Sequence, residues 1–209
     1  MERSPSSQIS ACDHLIVVCS HAIYIGGPTK GVSEDEWLIE PFQRGETPTF
    51  TAHVQAGLRA LADDPHGLLV FSGFRSYVGA YPRKITVVTH EFKRQRFMEC
   101  HFPALGLRAG GQASCPGAVV GINPPEEVTP LASLISGEEK SGIGLWRLDP
   151  YGVGEELAAK RVKRGWKPGK EAELFVGMKL DAVVEELLRW KGGVNGDELF
   201  PKLDQLPWY

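Results

Sequence analysis

Three stretches of this chain place polar, reactive side chains directly behind an apolar run, where a turn would present them to a ligand. Thr89, His90 and Glu91 close the run that begins at residue 85, and Arg96 follows within two helical turns. A helix starting there would aim its free N–H groups and positive dipole end at an anionic group. The Thr89 hydroxyl is suited to cap that helix, and His90 adds a hydrogen-bond donor or a proton-transfer group near neutral pH. A guanidinium at Arg96 can hold a carboxylate or phosphate through two parallel hydrogen bonds. The competing reading makes Thr89 only a cap, His90 an exposed first-turn residue and Arg96 part of a solvated basic face. Lys93, Arg94 and Arg96 are spread by roughly 100° per residue, so all three cannot enter one pocket, and Lys93 and Arg94 are assigned to solvent. His21 follows the run 14–19, with Gly26 and Gly27 able to let backbone approach a ligand or simply to form a turn. Ser72 and Gly73 follow the run 68–71.

None of these stretches completes a stronger fingerprint. Gly26 and Gly27 do not form G-x-G-x-x-G, and no phosphate-loop Lys-Ser/Thr follows them. Ser72 lacks the G-x-S-x-G frame of a nucleophile elbow. The acidic groups Glu34-Asp35-Glu36 and Glu138-Glu139 read as solvated loop or helix ends. His14, His53, His66 and His101 are too scattered for a metal-ligand pattern, so no metal is expected, and His53 reads as a helix-surface residue. Residues 146–152 (WRLDPYG) could close over a pocket or form a packed surface loop.

The elements that would position these groups alternate. Residues 14–19 form an apolar run of the kind buried on both faces of a sheet. Residues 28–46 read as a long loop with little helical period. Phe50, Val54, Gly57, Leu58 and Leu61 then fall at helical spacing, with Thr47 or Thr49 as N-cap and Asp63-Asp64-Pro65 as the stop. Strands follow at 68–71, 85–89 and 118–122, with a helix over 90–100. This alternation predicts an α/β fold with a mostly parallel sheet covered on both faces. Beyond it, 155–164 is a basic helical segment and 180–191 an amphipathic helix carrying Leu180, Val183, Val184, Leu187, Leu188 and Trp190, with Gly192 as its stop. The tail 195–209 reads as irregular. The expected organisation is a flexible stretch at 1–13, an α/β domain at 14–154 and a helical extension at 155–209. One interval is discordant: residues 74–84 are few for a parallel crossover and contain Gly79 and Pro82. Either the flanking strands are not a consecutive parallel unit, or a segment is missing.

The chain has 209 residues, 42% hydrophobic and 23% charged, which excludes a wholly disordered protein. A net charge of −3 supplies no global basic field for a nucleic-acid backbone. The basic run from Lys160 to Arg164 could touch an anionic membrane, although a solvated helix is the simpler reading. Four cysteines without a C-x-x-C pair fit a reducing compartment, and the short apolar runs predict no transmembrane segment and a soluble cytoplasmic protein.

Residues 15–27 (LIVVCSHAIYIGG), 69–73 (LVFSG) and 85–97 (ITVVTHEFKRQRF) together resemble the SanA/YdcF-like family in its eukaryotic branch, across 14–154. The resemblance implies a Rossmann-like three-layer α/β/α sandwich. It also implies binding of S-adenosylmethionine or another anionic nucleoside-like small molecule at the strand carboxyl ends, by Gly26, Gly27, Ser72, Gly73, Thr89, His90, Glu91 and Arg96. The chain departs from the bacterial pattern, which has Ser and His where His90 and Lys93 stand. It also lacks the helix, strand and polar loop that the family carries after Gly73, which agrees with the short interval at 74–84. Two alternatives therefore stand beside ligand binding. One is an enzyme of unknown reaction using His21 or His90 as acid/base. The other is a shortened isoform, gene-assembly artefact or decayed paralogue with no complete pocket and no activity.

Overall fold

The computed structural model describes residues 12–19, 22–71, 81–109, 115–163 and 180–209. Five strands, β1 (His14–Val18), β4 (Gly67–Phe71), β5 (Lys84–Thr89), β6 (Arg108–Ala109) and β7 (Pro116–Gly121), form one sheet in the order β4-β1-β5-β7-β6. Every pairing in it is parallel. The short strands β2 (Ile23–Tyr24) and β3 (Trp37–Leu38) form a separate antiparallel pair. The fold is therefore α/β, a Rossmann-like sandwich with an incomplete sheet. The discordant interval falls largely on residues 72–80, outside the described residues, and the strand order keeps the demand for a crossover from the carboxyl end of β4 to the amino end of β5. β4 and β5 are parallel but not neighbours, because β1 lies between them and pairs with both.

The register decides which side chains share a face. Ile16 lies beside Leu69 and Thr86, and Val18 beside Phe71 and Val88. Ile16, Val18 and Val88 pack with Ala56 of helix α1 (Thr47–Ala62). Burial of each of these strand side chains contributes about 2 kcal/mol. The opposite face carries Val87 and Val119, packed with Phe102, Leu107 and Cys115. β1 is not sealed on both faces as its composition predicts: Ile16 and Val18 are buried, whereas Leu15 and Val17 are half-buried. At its start the His14 imidazole bridges Asp64 Oδ2 and Thr86 Oγ1, each at 2.8 Å, so this histidine ties the lower end of the sheet together.

Helix α1 begins at Thr47 with Glu46 at the N-cap position and Pro48 in its first turn, where a missing N–H costs nothing. Thr47 and Thr49 are buried inside the helix and cap nothing. Its sheet-facing side runs through Phe50, His53, Ala56 and Gly57, while Leu58 is exposed. A Cβ at Gly57 would collide with Val18 and Leu69, so the glycine sets the helix-to-sheet distance.

Residues 91–104 form one winding segment, α2. It starts as a 3-10 turn (Glu91–Lys93), continues through Arg94–Arg96, widens into a π-helical turn (Phe97–His101) and ends at Phe102–Ala104. Helices α3 (Leu131–Ser141), α4 (Ile143–Leu148), α5 (Glu155–Lys163) and α6 (Ala182–Arg189) follow. The amphipathic reading of 180–191 holds for α6, whose Val184 and Leu187 pack on Phe200 and Leu206. It ends at Trp190, ahead of Gly192, which instead shapes the following loop with φ +82°. The tail 195–209 is irregular apart from the 3-10 turn Leu203–Gln205, and it is anchored: Trp208 Nε1 donates to the Leu105 carbonyl at 2.7 Å, and the Phe200 N–H donates to Tyr151 Oη at 2.8 Å. Among the described residues no helix is long and apolar enough to cross a membrane.

Candidate functional site

Parallel α/β sheets present ligands outside the carboxyl ends of their strands. Here the ends of β1, β5 and β7 bring together Cys19, Thr89, His90 and, across the start of α2, Lys93 and Arg96. The Cys19 N–H donates to Val88 O at 2.9 Å, and the Ile122 N–H to Thr89 O at 2.9 Å, which locks the three ends into one rim. Thr89 is fully buried as the last residue of β5. It is therefore not the helix cap. His90 occupies the N-cap position, without a side-chain cap bond.

His90 is buried, not exposed. Its ring stacks on Phe92 at 5.2 Å and meets His53 edge-on at 4.9 Å and Phe50 at 6.2 Å. Burial, with Lys93 and His53 adding to it, lowers its pKa to about 3. The Glu46 carboxylate, buried and accepting from the Thr129 hydroxyl at 2.9 Å, lies 3.9 Å from His90 Nε2, beyond hydrogen-bond reach. A neutral, enclosed imidazole of this kind is a poor general base at neutral pH. His53, expected on the helix surface, is also buried and lies 2.8 Å from the Ile122 carbonyl through Nε2. Burial lowers its pKa as well.

The three cations of α2 separate as helical spacing requires. Arg94 turns away: its guanidinium pairs with Glu91 at 2.6 and 2.7 Å and donates to Val119 O at 2.7 Å. Glu91 is thereby held by Arg94 at the rim of β7, where a Cβ on Gly121 would collide with it, so it is not a free wall of the site. Its neighbour's N–H is also taken, since Phe92 N donates to Asn123 Oδ1 at 3.0 Å. Lys93 and Arg96, three positions apart, share the other side. Arg96 Nε lies 3.2 Å from the largely buried Glu138 of α3, so Glu138 is an ion-pair partner and not a solvated acid. Lys93 is half-buried rather than solvated, its Nζ 5.3 Å from the Phe92 ring centre, with no carboxylate in ion-pair reach among the described residues. Burial, reinforced by Arg96, lowers its pKa to about 8. Burial also pushes the Cys19 thiol up, and this is partly offset by Thr89, Lys93 and Arg96.

Gly26 and Gly27 serve a turn. Gly26 has φ +89°, and a Cβ on Gly27 would collide with Glu36. Glu36 is buried and accepts from Thr29 N at 2.7 Å and Gly31 N at 2.5 Å, so this acid, read from the sequence as solvated, organises its own loop from within. Desolvation raises its pKa, but these backbone donors outweigh it and the net shift is downward. Residues 28–46 thus hold strand β3, paired with β2 just before them, and two 3-10 turns, Glu34–Glu36 and Pro41–Gln43. Residues 146–152 are packed, with Trp146 against His101 at 4.5 Å and a buried Pro150. His21, Ser72, Gly73 and Arg164 lie outside the described residues. Among those described, no group of three or more His, Cys, Asp or Glu residues could hold a metal ion.

Five members of the rim escape sequence reading: Cys19, Glu46, His53, Lys93 and Glu138. Cys19 ends the first apolar run, His53 falls three residues after Phe50 on the buried side, and Lys93 and Arg96 have the i, i+3 spacing. Those signals are present but shared with many inert residues. Nothing in the sequence marks Glu46 or Glu138. Comparison of the chain with protein-family models, curated proteins and solved structures finds no significant match.

Proposed function

We propose that this chain binds a small molecule carrying a carboxylate or phosphate at the carboxyl ends of β1 and β5, with the anion against Lys93. The observation that carries this reading is the Lys93 ammonium itself: half-buried at the strand ends, beside Arg96, and with no carboxylate in ion-pair reach among the described residues. A ligand anion would supply the missing partner and raise the charged form's stability. Arg96 contributes field and position, since Glu138 already holds its Nε. Cys19 and Thr89 form the floor. The resemblance of 15–27, 69–73 and 85–97 to the SanA/YdcF-like family makes S-adenosylmethionine, whose amino-acid end bears a carboxylate, the first ligand to test.

The test is the thermal midpoint of the full chain with S-adenosylmethionine, its demethylated product and a nucleotide panel. A ligand that binds only the folded state raises the midpoint. The expected result is a shift for at least one carboxylate- or phosphate-bearing compound that is lost in Lys93→Gln, a variant that removes the charge and keeps a polar end. A cooperative transition that none of these compounds moves would overturn the proposal and favour a chain without a complete pocket.

A further inference from the structure

We propose a second ligand site on the opposite end of α2: a groove that takes a neutral aromatic ring bearing one hydrogen-bonding group, with His101 as its polar contact. The groove, open to solvent along its length, offers about 430 Å³ and is lined by Phe97, His101, Ala104, Leu105, Pro150 and Tyr151. That volume suits a molecule of one or two rings.

Its walls are aromatic and fixed. The π-helical turn Phe97–His101 brings both rings to one side, 4.9 Å apart and edge-on. Turns of this kind are concentrated at functional sites. Behind His101 stands Trp146, also edge-on at 4.5 Å. Tyr151 forms the facing wall and cannot swing, because its hydroxyl donates to Ala104 O at 3.0 Å and accepts from Phe200 N at 2.8 Å. The Leu105 carbonyl is satisfied by Trp208 Nε1 at 2.7 Å. The backbone acceptors at this helix end are therefore occupied, and the groove is preformed instead of closing on itself.

Within this apolar surround His101 is the exception. Its imidazole takes part in no hydrogen bond among the described residues, although each ring nitrogen is a donor or an acceptor. Burial, with Arg96 adding to it, lowers its pKa to about 4, so it meets a ligand as a neutral ring. A cation is disfavoured by the same Arg96 field, and an anion would lose its hydration against Phe97, Leu105 and Pro150 without gaining a charged partner. A neutral ring, by contrast, can pack edge-on or offset against Phe97 and Tyr151 while one hydroxyl or ring N–H reaches His101.

The experiment is a titration of the isotope-labelled full chain with phenol and with toluene, two probes of equal size that differ in one hydroxyl, read by amide chemical shifts. Phenol is expected to move the amides of residues 97–102, 104, 105 and 151 and to bind roughly 3- to 10-fold more tightly than toluene, the worth of one net hydrogen bond. In His101→Phe, which keeps the edge-on packing, the two probes should bind equally. Leu105→Trp, at a 41% exposed position where folding tolerates the change, should fill the groove and abolish both. Absence of localised shifts up to millimolar probe would overturn the proposal. So would shifts that survive Leu105→Trp, or a phenol preference that persists in His101→Phe.

Discussion

Acidification from pH 7 to pH 5 should remove several kcal/mol of stability from this protein, and replacing His90 should remove a defined share of that loss. The folded state holds His90 neutral with a pKa of about 3, against about 6.5 for the unfolded chain. The unfolded state therefore takes up a proton that the folded state refuses. The stabilisation is complete above pH 6.5 and is lost as pH falls from there toward 3. Well below 6.5 the loss approaches ~1.36 kcal/mol per pH unit, which integrates to about 2 kcal/mol between pH 7 and 5 for His90. His101, lowered to about 4 by burial and Arg96, contributes about 2 kcal/mol over the same interval, and His53 acts in the same direction. A total of about 4 kcal/mol is a large part of the roughly 5–15 kcal/mol that holds a domain together. The groups facing His90 are Glu46, 3.9 Å from its Nε2, and Lys93 and His53, which reinforce the shift. Stopping at pH 5 keeps the window above the carboxylates of Glu36, Asp64, Glu91 and Glu99, whose pKa values are all lowered. Urea unfolding at pH 7, 6 and 5 would be measured for the wild type and for His90→Gln. The variant starts less stable because the ring contacts are gone, but its loss between pH 7 and 5 should be smaller by about 2 kcal/mol. Equal pH dependence in the two proteins would refute the reasoning.

Ligand affinity at the strand ends should fall as pH rises through about 8, because Lys93 loses the charge that pairs with the ligand; isothermal titration at pH 7 and 9 would show a weakening of up to about tenfold that is absent from Lys93→Arg. Gly57→Ala should cost about 1–3 kcal/mol by forcing a methyl into Val18 and Leu69. Gly137→Ala, inside α3 where a Cβ meets nothing within 4 Å, should instead raise stability by about 0.5–1 kcal/mol in the same denaturation assay. Arg96→Met should destabilise by about 2 kcal/mol through the stranded Glu138 carboxylate, and adding Glu138→Gln should recover part of that loss in a double-mutant cycle.

What the sequence determined by itself was the alternation of elements. The apolar runs at 14–19, 68–71 and 85–89, rich in Val, Ile and Leu, specify strands because β-branched and apolar side chains in runs of that length suit a buried sheet. The spacing of Phe50, Gly57 and Leu61 specifies α1, and that of Val183, Val184 and Leu187 specifies α6. These are local patterns, legible within one turn or one pleat. The partners of charged and polar side chains were decided only by tertiary structure. His53 and Leu58 both fit helical spacing on α1, yet the tilt of the helix on the sheet buries the histidine and exposes the leucine. Glu138 and Glu36 read as solvated because their partners, Arg96 and the Thr29–Gly31 backbone, meet them only after the chain has folded back. Lys93 became a candidate site residue for the same reason: its half-burial follows from where α2 begins relative to β1. Two-residue strands such as β2, β3 and β6 carry too few residues for any period to show, and the order β4-β1-β5 emerges only when separate runs compete for the same edges of β1.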